Sequence, residues 1–177
     1  MRVLVTGGAG FIGSHIVEHF DGQAEVRVLD NLRSGYRENI EGFDVEFIEA
    51  SITDRAAVKA AVHGVDYVFH LAAMISVPES MDKPGECVEI NTQGTLNVLQ
   101  EAAEAGGKKL CLSSSAANYG DNPTVPKVET LAPEPKSPYA VTKLDGEYYC
   151  GIFHDEGWLK TVCMRYFNVF GPRQDPK

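Results

Sequence analysis

The chain has 177 residues, enough for one domain with a single sizeable core. Apolar residues make up 44% and charged residues 23%, an ordinary globular composition, and no stretch approaches the roughly 20 apolar residues needed to span a bilayer. The formal net charge is −9 and the cations are scattered, with no basic stripe to track phosphate backbones, so nucleic acid is excluded as the expected partner.

Strand and helix signals alternate from the first residues. Residues 2–6 (RVLVT) form an apolar, β-branched run stopped by Gly7-Gly8. Residues 11–20 follow with helical periodicity through Phe11, Ile12, Ile16, Val17 and Phe20. Strands are expected at 25–30, 44–49 and 66–71, with a helix at 54–63 between the last two. A long helix is expected over 85–105, its apolar stripe supplied by Val88, Ile90, Leu96, Val98 and Leu99. A fifth strand at 108–113, a Pro-rich loop at 120–138, a helix at 139–156 and a sixth strand at 160–166 complete the series. Strands joined through helices imply right-handed crossovers, hence a doubly wound α/β fold with a mostly parallel sheet of the Rossmann type.

The four cysteines, Cys87, Cys111, Cys150 and Cys163, have no metal-knuckle spacing and are expected as reduced, buried thiols. His15 and His19 share one helix face without a third ligand, so they read as solvent-facing or packing residues and no metal is expected. Met1-Arg2 runs directly into a short apolar stretch and a Gly-rich turn. That is unlike a secretory leader, and a cytoplasmic location is expected.

Gly7, Gly10 and Gly13 lie between the first strand and the first helix, within GGAGFIGS. In this context the glycines allow a tight turn, let backbone N–H groups approach a pyrophosphate, and place the helix N-terminus against the anion. Asp30 ends the second strand, where a carboxylate accepts hydrogen bonds from ribose hydroxyls and repels a 2′-phosphate. NAD is therefore the expected cofactor, although Arg33 is close by and able to meet a phosphate. Asp30 also suits an Asx turn before Asn31, and the two roles are compatible.

Tyr139 and Lys143 are one turn apart on one helix face. A neighbouring ammonium favours the phenolate, which makes Tyr139 a general-base candidate. Ser115, expected just after the fifth strand in the run Ser113-Ser114-Ser115, can hydrogen-bond the reacting oxygen.

Together these segments resemble the extended short-chain dehydrogenase/reductases, and within them the UDP-glucose 4-epimerases and their relatives. The resemblance is carried by GGAGFIGS, Asp30-Asn31-Leu32, His70-Leu71-Ala72-Ala73, Asn91, Ser113-Ser114-Ser115, Tyr119-Gly120, Ser137-Pro138-Tyr139-Ala140-Val141-Thr142-Lys143 and Arg165-Tyr166-Phe167-Asn168. It implies Phe11 and Ile12 at the pyrophosphate, Asp30 at the ribose, Leu71, Ala72 and Ala73 along the middle of the cofactor, and Asn91 close to it. Asn31, Ile52 and Ser113 join that cofactor-binding set. Ser115, Tyr139 and Lys143 match the catalytic triad, Tyr139 and Lys143 also touching the cofactor. Phe167 falls near the nicotinamide and Asn168 at the phosphates of a sugar nucleotide, with Ser115 also on the sugar.

The activity so implied is a nucleotide-sugar 4-epimerase, acting on a UDP-hexose through a 4-keto intermediate and bound NAD. Nucleotide-sugar 4,6-dehydratases and decarboxylases share the scaffold but carry acidic residues where Ala116-Ala117 stand here. A non-catalytic NAD-binding module is the third reading, disfavoured by the retained Tyr–Lys pair. The resemblance implies that residues 1–171 form the NAD-binding part and that 172–177 begin a smaller substrate domain, as in a truncated or natural fragment. It also implies a homodimer built from the helices at 85–105 and 139–156, the second of which spreads Tyr148, Tyr149, Ile152 and Phe153 around its surface. Two positions depart from the family: Ser51 stands where an acidic adenine contact is common, and Asn118 where an apolar residue is usual.

Overall fold

The computed structural model describes residues 1–175. Six parallel strands, β1 (Arg2–Thr6), β2 (Glu25–Asp30), β3 (Val45–Glu49), β4 (Tyr67–His70), β5 (Lys109–Ser115) and β6 (Lys160–Tyr166), form one sheet in the order β3-β2-β1-β4-β5-β6. The order reverses between β1 and β4, which opens a crevice at the carboxyl ends of those strands.

Alternation along the strands builds two cores, because successive side chains point to opposite faces. Val3, Val5, Val26 and Val28 pack with Val17 of α1 (Phe11–Phe20) on one face. Leu4, Val68, Leu110 and Leu112 pack on the other, against α2 (Arg55–Val62), α5 (Gly94–Glu104) and α6 (Pro138–Asp155). A sheet covered on both faces needs near-continuous apolar strands, as β1 is; in β2 the inward Arg27 is buried with its guanidinium bonded to Glu46 and to the carbonyls of Ala61 and His63. Helix starts follow the expected capping chemistry. Asp54 accepts from Ala56 N and Ala57 N at the start of α2, and Ser137 accepts from Ala140 N ahead of Pro138 in α6.

Four features differ from the sequence expectation. The helix expected at 85–105 is divided into α4 (Pro84–Cys87), a π-helical stretch Val88–Gln93, and α5; apolar periodicity does not register one widened turn. A short helix, α3 (Val77–Asp82), and 3₁₀ turns at Arg37–Ile40 and Ala116–Tyr119 are too brief to show a period. β5 runs two residues further than expected, because β6 pairs with it as far as Ser115↔Tyr166. Among the cysteines, Cys87 and Cys150 are buried, whereas Cys111 and Cys163 are half-buried on the two strands at the β6 edge. All four are free thiols.

Candidate active site

The carboxyl ends of the strands frame a cleft of about 1180 Å³. Its floor is the glycine loop. Gly7 has φ +70°, and a Cβ there would lie 2.7 Å from Ala72 N. A Cβ on Gly13 would lie 2.1 Å from Gly7 O, so the loop closes this tightly only without side chains. Gly10 caps α1, and no acidic residue lies in that helix's first turn, leaving the positive dipole end open to an anion. Phe11 and Ile12 line the cleft directly above.

Asp30 is 7% exposed and ties this floor to β2. Its Oδ2 accepts from Ala9 N at 3.0 Å and its Oδ1 from Leu32 N at 2.8 Å. Burial raises its pKa and outweighs the two backbone bonds that lower it. The residue thus makes the Asx turn and also lines the cleft, beside Asn31. Ile52 lines the same end while its chain packs in the core. The Ser51 hydroxyl is engaged locally, with Thr53 Oγ1 at 2.8 Å and Thr53 N at 3.2 Å.

Leu71, Ala72 and Ala73 form the middle of the wall. Leu71 N and Ala72 N both donate to Thr6 O at 3.1 Å, so the chain leaving β4 crosses the end of β1. Thr6 Oγ1 also accepts from both amides and so has its own proton to give to His70 Nδ1, 2.7 Å away. His70 Nε2–H then donates to Thr95 Oγ1 at 2.9 Å, which sets the tautomer. This ring is 2% exposed, and burial, with the charge of Lys143, lowers its pKa to about 3.

Asn91 is the exception among the residues expected to line the cofactor cleft. It is 3% exposed and its amide is consumed by protein partners: Oδ1 accepts from Met74 N at 2.7 Å, and Nδ2 donates to Met74 O at 3.1 Å and Thr142 Oγ1 at 3.0 Å. It lies in the π-helical stretch and pins the end of the 71–74 loop to α6, acting on the cleft through that loop.

The opposite wall carries the three residues singled out for chemistry. Ser115 is the last residue of β5, and its Oγ accepts from Ala117 N at 3.1 Å, which aims the hydroxyl proton elsewhere. Tyr139 stands in the first turn of α6 in hydrogen-bond contact with Ser115. Lys143, one turn on, is 7% exposed and donates to Ser113 O at 2.8 Å, with Nζ 5.8 Å from the centre of the Tyr139 ring. All of them line the cleft, as do Ser113, Phe167 and Asn168. The phenol does not show the lowering expected from Lys143. Its pKa is raised, because burial outweighs the hydrogen bond from Ser115. Burial likewise lowers Lys143 to about 8.

Behind this wall lies a network with no assigned role in the sequence reading. Glu147 Oε1 accepts from Ser114 Oγ at 2.5 Å, Asn118 Nδ2 at 2.9 Å and Arg165 Nε at 2.8 Å, while Oε2 accepts from Arg165 Nη2 at 2.7 Å. Burial raises the Glu147 pKa but is outweighed by Arg165 and the other donors, leaving it below the ordinary value. The network partners the Asn118 amide nitrogen, whose place in an apolar position had no account from sequence; Asn118 Oδ1 has no partner among the described residues. Arg165 also stacks over Tyr119 at 4.7 Å, and Tyr119 over Phe167 at 6.3 Å, so the network reaches the cleft. Extending the four-residue stride from Tyr139 through Lys143 leads to Glu147, the signal that could have found it. Elsewhere on the rim, His15 Nε2 donates to Pro172 O at 3.0 Å, a packing role, and Arg173 reaches His15 and Glu18.

A glycine-loop cleft at the switch point of a 3-2-1-4-5-6 sheet, faced by a Ser–Tyr–Lys group, defines a class of dinucleotide-dependent enzyme folds. The chain belongs to the NAD dependent epimerase/dehydratase family, whose model matches residues 3–177. It is 44% identical to the UDP-glucose 4-epimerase of Thermus thermophilus, solved in complex with NAD, with a TM-score of 0.94 over 100% of this chain and 58% of that one. It is 42% identical to the UDP-N-acetylglucosamine 4-epimerase of Methanobrevibacter ruminantium, solved with UDP-N-acetylmuramic acid, with a TM-score of 0.94 over 98% of this chain and 57% of that one. It is 39% identical over 184 residues to the UDP-glucose 4-epimerase of Mycolicibacterium smegmatis, covering 99% of this chain and 58% of the relative. The chain thus spans rather more than half the length of the relatives it matches.

Proposed function

We propose that the chain is the cofactor-binding and catalytic part of a nucleotide-sugar 4-epimerase that uses NAD and acts on a UDP-hexose. The observation that carries this reading is the gathering of Ser115, Tyr139 and Lys143 on one wall of a cleft whose floor is the glycine loop. At about 1180 Å³ the cleft exceeds the roughly 300–1,000 Å³ usual for one small ligand, which suits a dinucleotide plus a substrate. The side-chain-free cradle at Gly7 and Gly13 fits a pyrophosphate on the N-terminus of α1. Gly7, Gly10, Phe11, Ile12 and Gly13 would hold that group. Asp30, Asn31 and Ile52 would hold the adenosine end, Leu71, Ala72, Ala73 and Ser113 the middle, and Phe167, Tyr139 and Lys143 the nicotinamide end. When bound, NAD supplies a reversible hydride acceptor.

The chain's own residues handle the proton. Tyr139 Oη would take it from the sugar 4-hydroxyl as the phenolate, a form that burial disfavours and that the positive nicotinamide would favour when bound, and Ser115 Oγ–H, its lone pair occupied by Ala117 N, would donate to the same oxygen. Lys143 holds positive charge one turn away and is anchored on Ser113 O, so its position survives the proton's movement. Returning the proton from Tyr139 to the 4-oxygen completes the epimerisation. Asn168 is assigned to the substrate phosphates. Ala116 and Ala117 also line the cleft, and neither can exchange protons at a second sugar carbon. That favours epimerisation over dehydration or decarboxylation.

Residues 1–171 make up the cofactor part in this reading, and the substrate domain begins at 172; residues 176 and 177 of that stretch lie outside the described residues. The homodimer belongs to the same proposal. It is supported by exposed Met81, Val88, Val141, Tyr148 and Ile152 on α3, α6 and the π-helical stretch, whereas Phe153 is buried in the monomer core and Tyr149 is half-buried. A cytoplasmic location is part of it too, supported by four free thiols. No helix among the described residues is long and apolar enough to cross a membrane. The test is conversion of UDP-galactose and UDP-N-acetylgalactosamine, followed by chromatography, by this chain and by the product of the whole reading frame that encodes it. Release of a 4-keto-6-deoxy sugar nucleotide, or NAD that no UDP-hexose reduces, would overturn the assignment.

A further inference from the structure

Asp30 is the residue expected to reject a 2′-phosphate, yet its carboxylate is 7% exposed and both oxygens already accept backbone N–H bonds. The exposed charge at that end of the cleft is carried by others. Arg33 lines the cleft and would be the natural partner of a 2′-phosphate, since a guanidinium fork matches phosphate oxygens. Its fork is taken. Nη1 lies 2.5 Å from Glu86 Oε1, and Nη2 lies 2.7 Å from Glu79 Oε1. Glu79 is on α3 and Glu86 on α4, so the clamp spans from the β2 exit to two separate helices. Lys83 stands between the acids, 3.5 Å from Glu79 and 3.7 Å from Glu86. The other cations lining the cleft among the described residues are committed elsewhere, Lys143 to Ser113 O and Arg173 to Glu18 and His15.

We propose that the Glu79–Arg33–Glu86 clamp is the specificity-determining element that makes the cleft select NAD over NADP. This inference rests on the dinucleotide reading above and names what selects within it. The two carboxylates act twice. They occupy the only guanidinium fork beside Asp30 among the described residues, and they neutralise the positive charge of Arg33 that would otherwise attract the extra phosphate of NADP. Both effects oppose NADP and leave NAD, which has no group there, nearly untouched.

The test is calorimetric titration of this chain with NAD and with NADP. The variants are Glu86→Gln, the double Glu79→Gln/Glu86→Gln, and the double variant carrying Arg33→Ala in addition. The Glu→Gln substitutions are isosteric and lie at the surface, and Glu86→Gln alone gives a partial response should the double variant fold poorly. NADP affinity should rise about tenfold or more in the double variant, the gain of one charge-assisted pair, with NAD affinity changed by less than about threefold. Adding Arg33→Ala should erase the gain. An unchanged NADP-to-NAD ratio in the double variant, or a gain that survives Arg33→Ala, overturns the clamp while leaving the cofactor reading intact. Failure of the parent chain to bind either dinucleotide overturns both.

Discussion

Replacing Glu147 by alanine should destabilise the chain more than any other change near the site that leaves Ser115, Tyr139 and Lys143 in place. The side chain is 13% exposed and its partner Arg165 17%. The substitution leaves the guanidinium of Arg165 half-buried without its bidentate acceptor, and takes the acceptor from the Ser114 hydroxyl and the Asn118 amide. Removing one member of such a buried pair costs about 3–5 kcal/mol. That is a large share of the roughly 5–15 kcal/mol that holds a domain folded. With a urea dependence of about 2 kcal/mol per M, the midpoint should fall by about 1.5–2.5 M. Trp158, the sole tryptophan, packs edge-on to Phe153 at 5.2 Å and reports the transition by fluorescence. Replacing both partners with apolar residues, Glu147→Leu with Arg165→Met, should recover a large part of the loss, because no charge is then left alone. A midpoint shift under about 0.5 M for Glu147→Ala, or a double variant no better than the single, would refute the reasoning.

Three further outcomes follow from the same geometry. His70 has a folded pKa of about 3 against an ordinary 6.5, so between those values the unfolded chain binds a proton that the folded chain does not. Stability should be undiminished by this group above pH 6.5 and decline as pH falls, by about 2 kcal/mol at pH 5; the urea midpoint at the two pH values should lose this slope in His70→Asn. Lys143→Met should raise thermal stability at pH 7, because it removes a buried cation whose pKa burial lowers to about 8, while abolishing the proposed epimerisation; a lower melting temperature would contradict it. Tyr139→Phe should leave NAD affinity within about threefold by calorimetry and lower turnover by about 10²–10⁴-fold, the usual worth of a positioned general base; near-normal turnover would remove Tyr139 from its role.

Much of this molecule is written in local pattern. The strand–helix alternation, the glycine loop and the Tyr139–Lys143 spacing are all short-range, because each depends on residues within about one turn or one strand. Strands joined through helices, with the continuous apolar run of β1, also determined that both sheet faces would be covered, hence the parallel Rossmann arrangement. Tertiary structure alone decided the rest. The π-helical stretch at Val88–Gln93 and the turning of Asn91 toward Met74 and Thr142 arise from packing against α6, over 50 positions away in sequence. The raised pKa of Tyr139 comes from burial, which no spacing encodes. Asn118 read as an anomaly by itself; its partners Ser114 and Glu147, and the Arg165 that pairs with Glu147, come together only when β5, α6 and β6 align. Arg33 read as a possible phosphate ligand, and only the approach of α3 and α4 set two carboxylates on it. Sequence thus determined which groups the chain carries and on which element each sits. Long-range packing decided which of them are already engaged, since burial and pairing depend on neighbours far away along the chain.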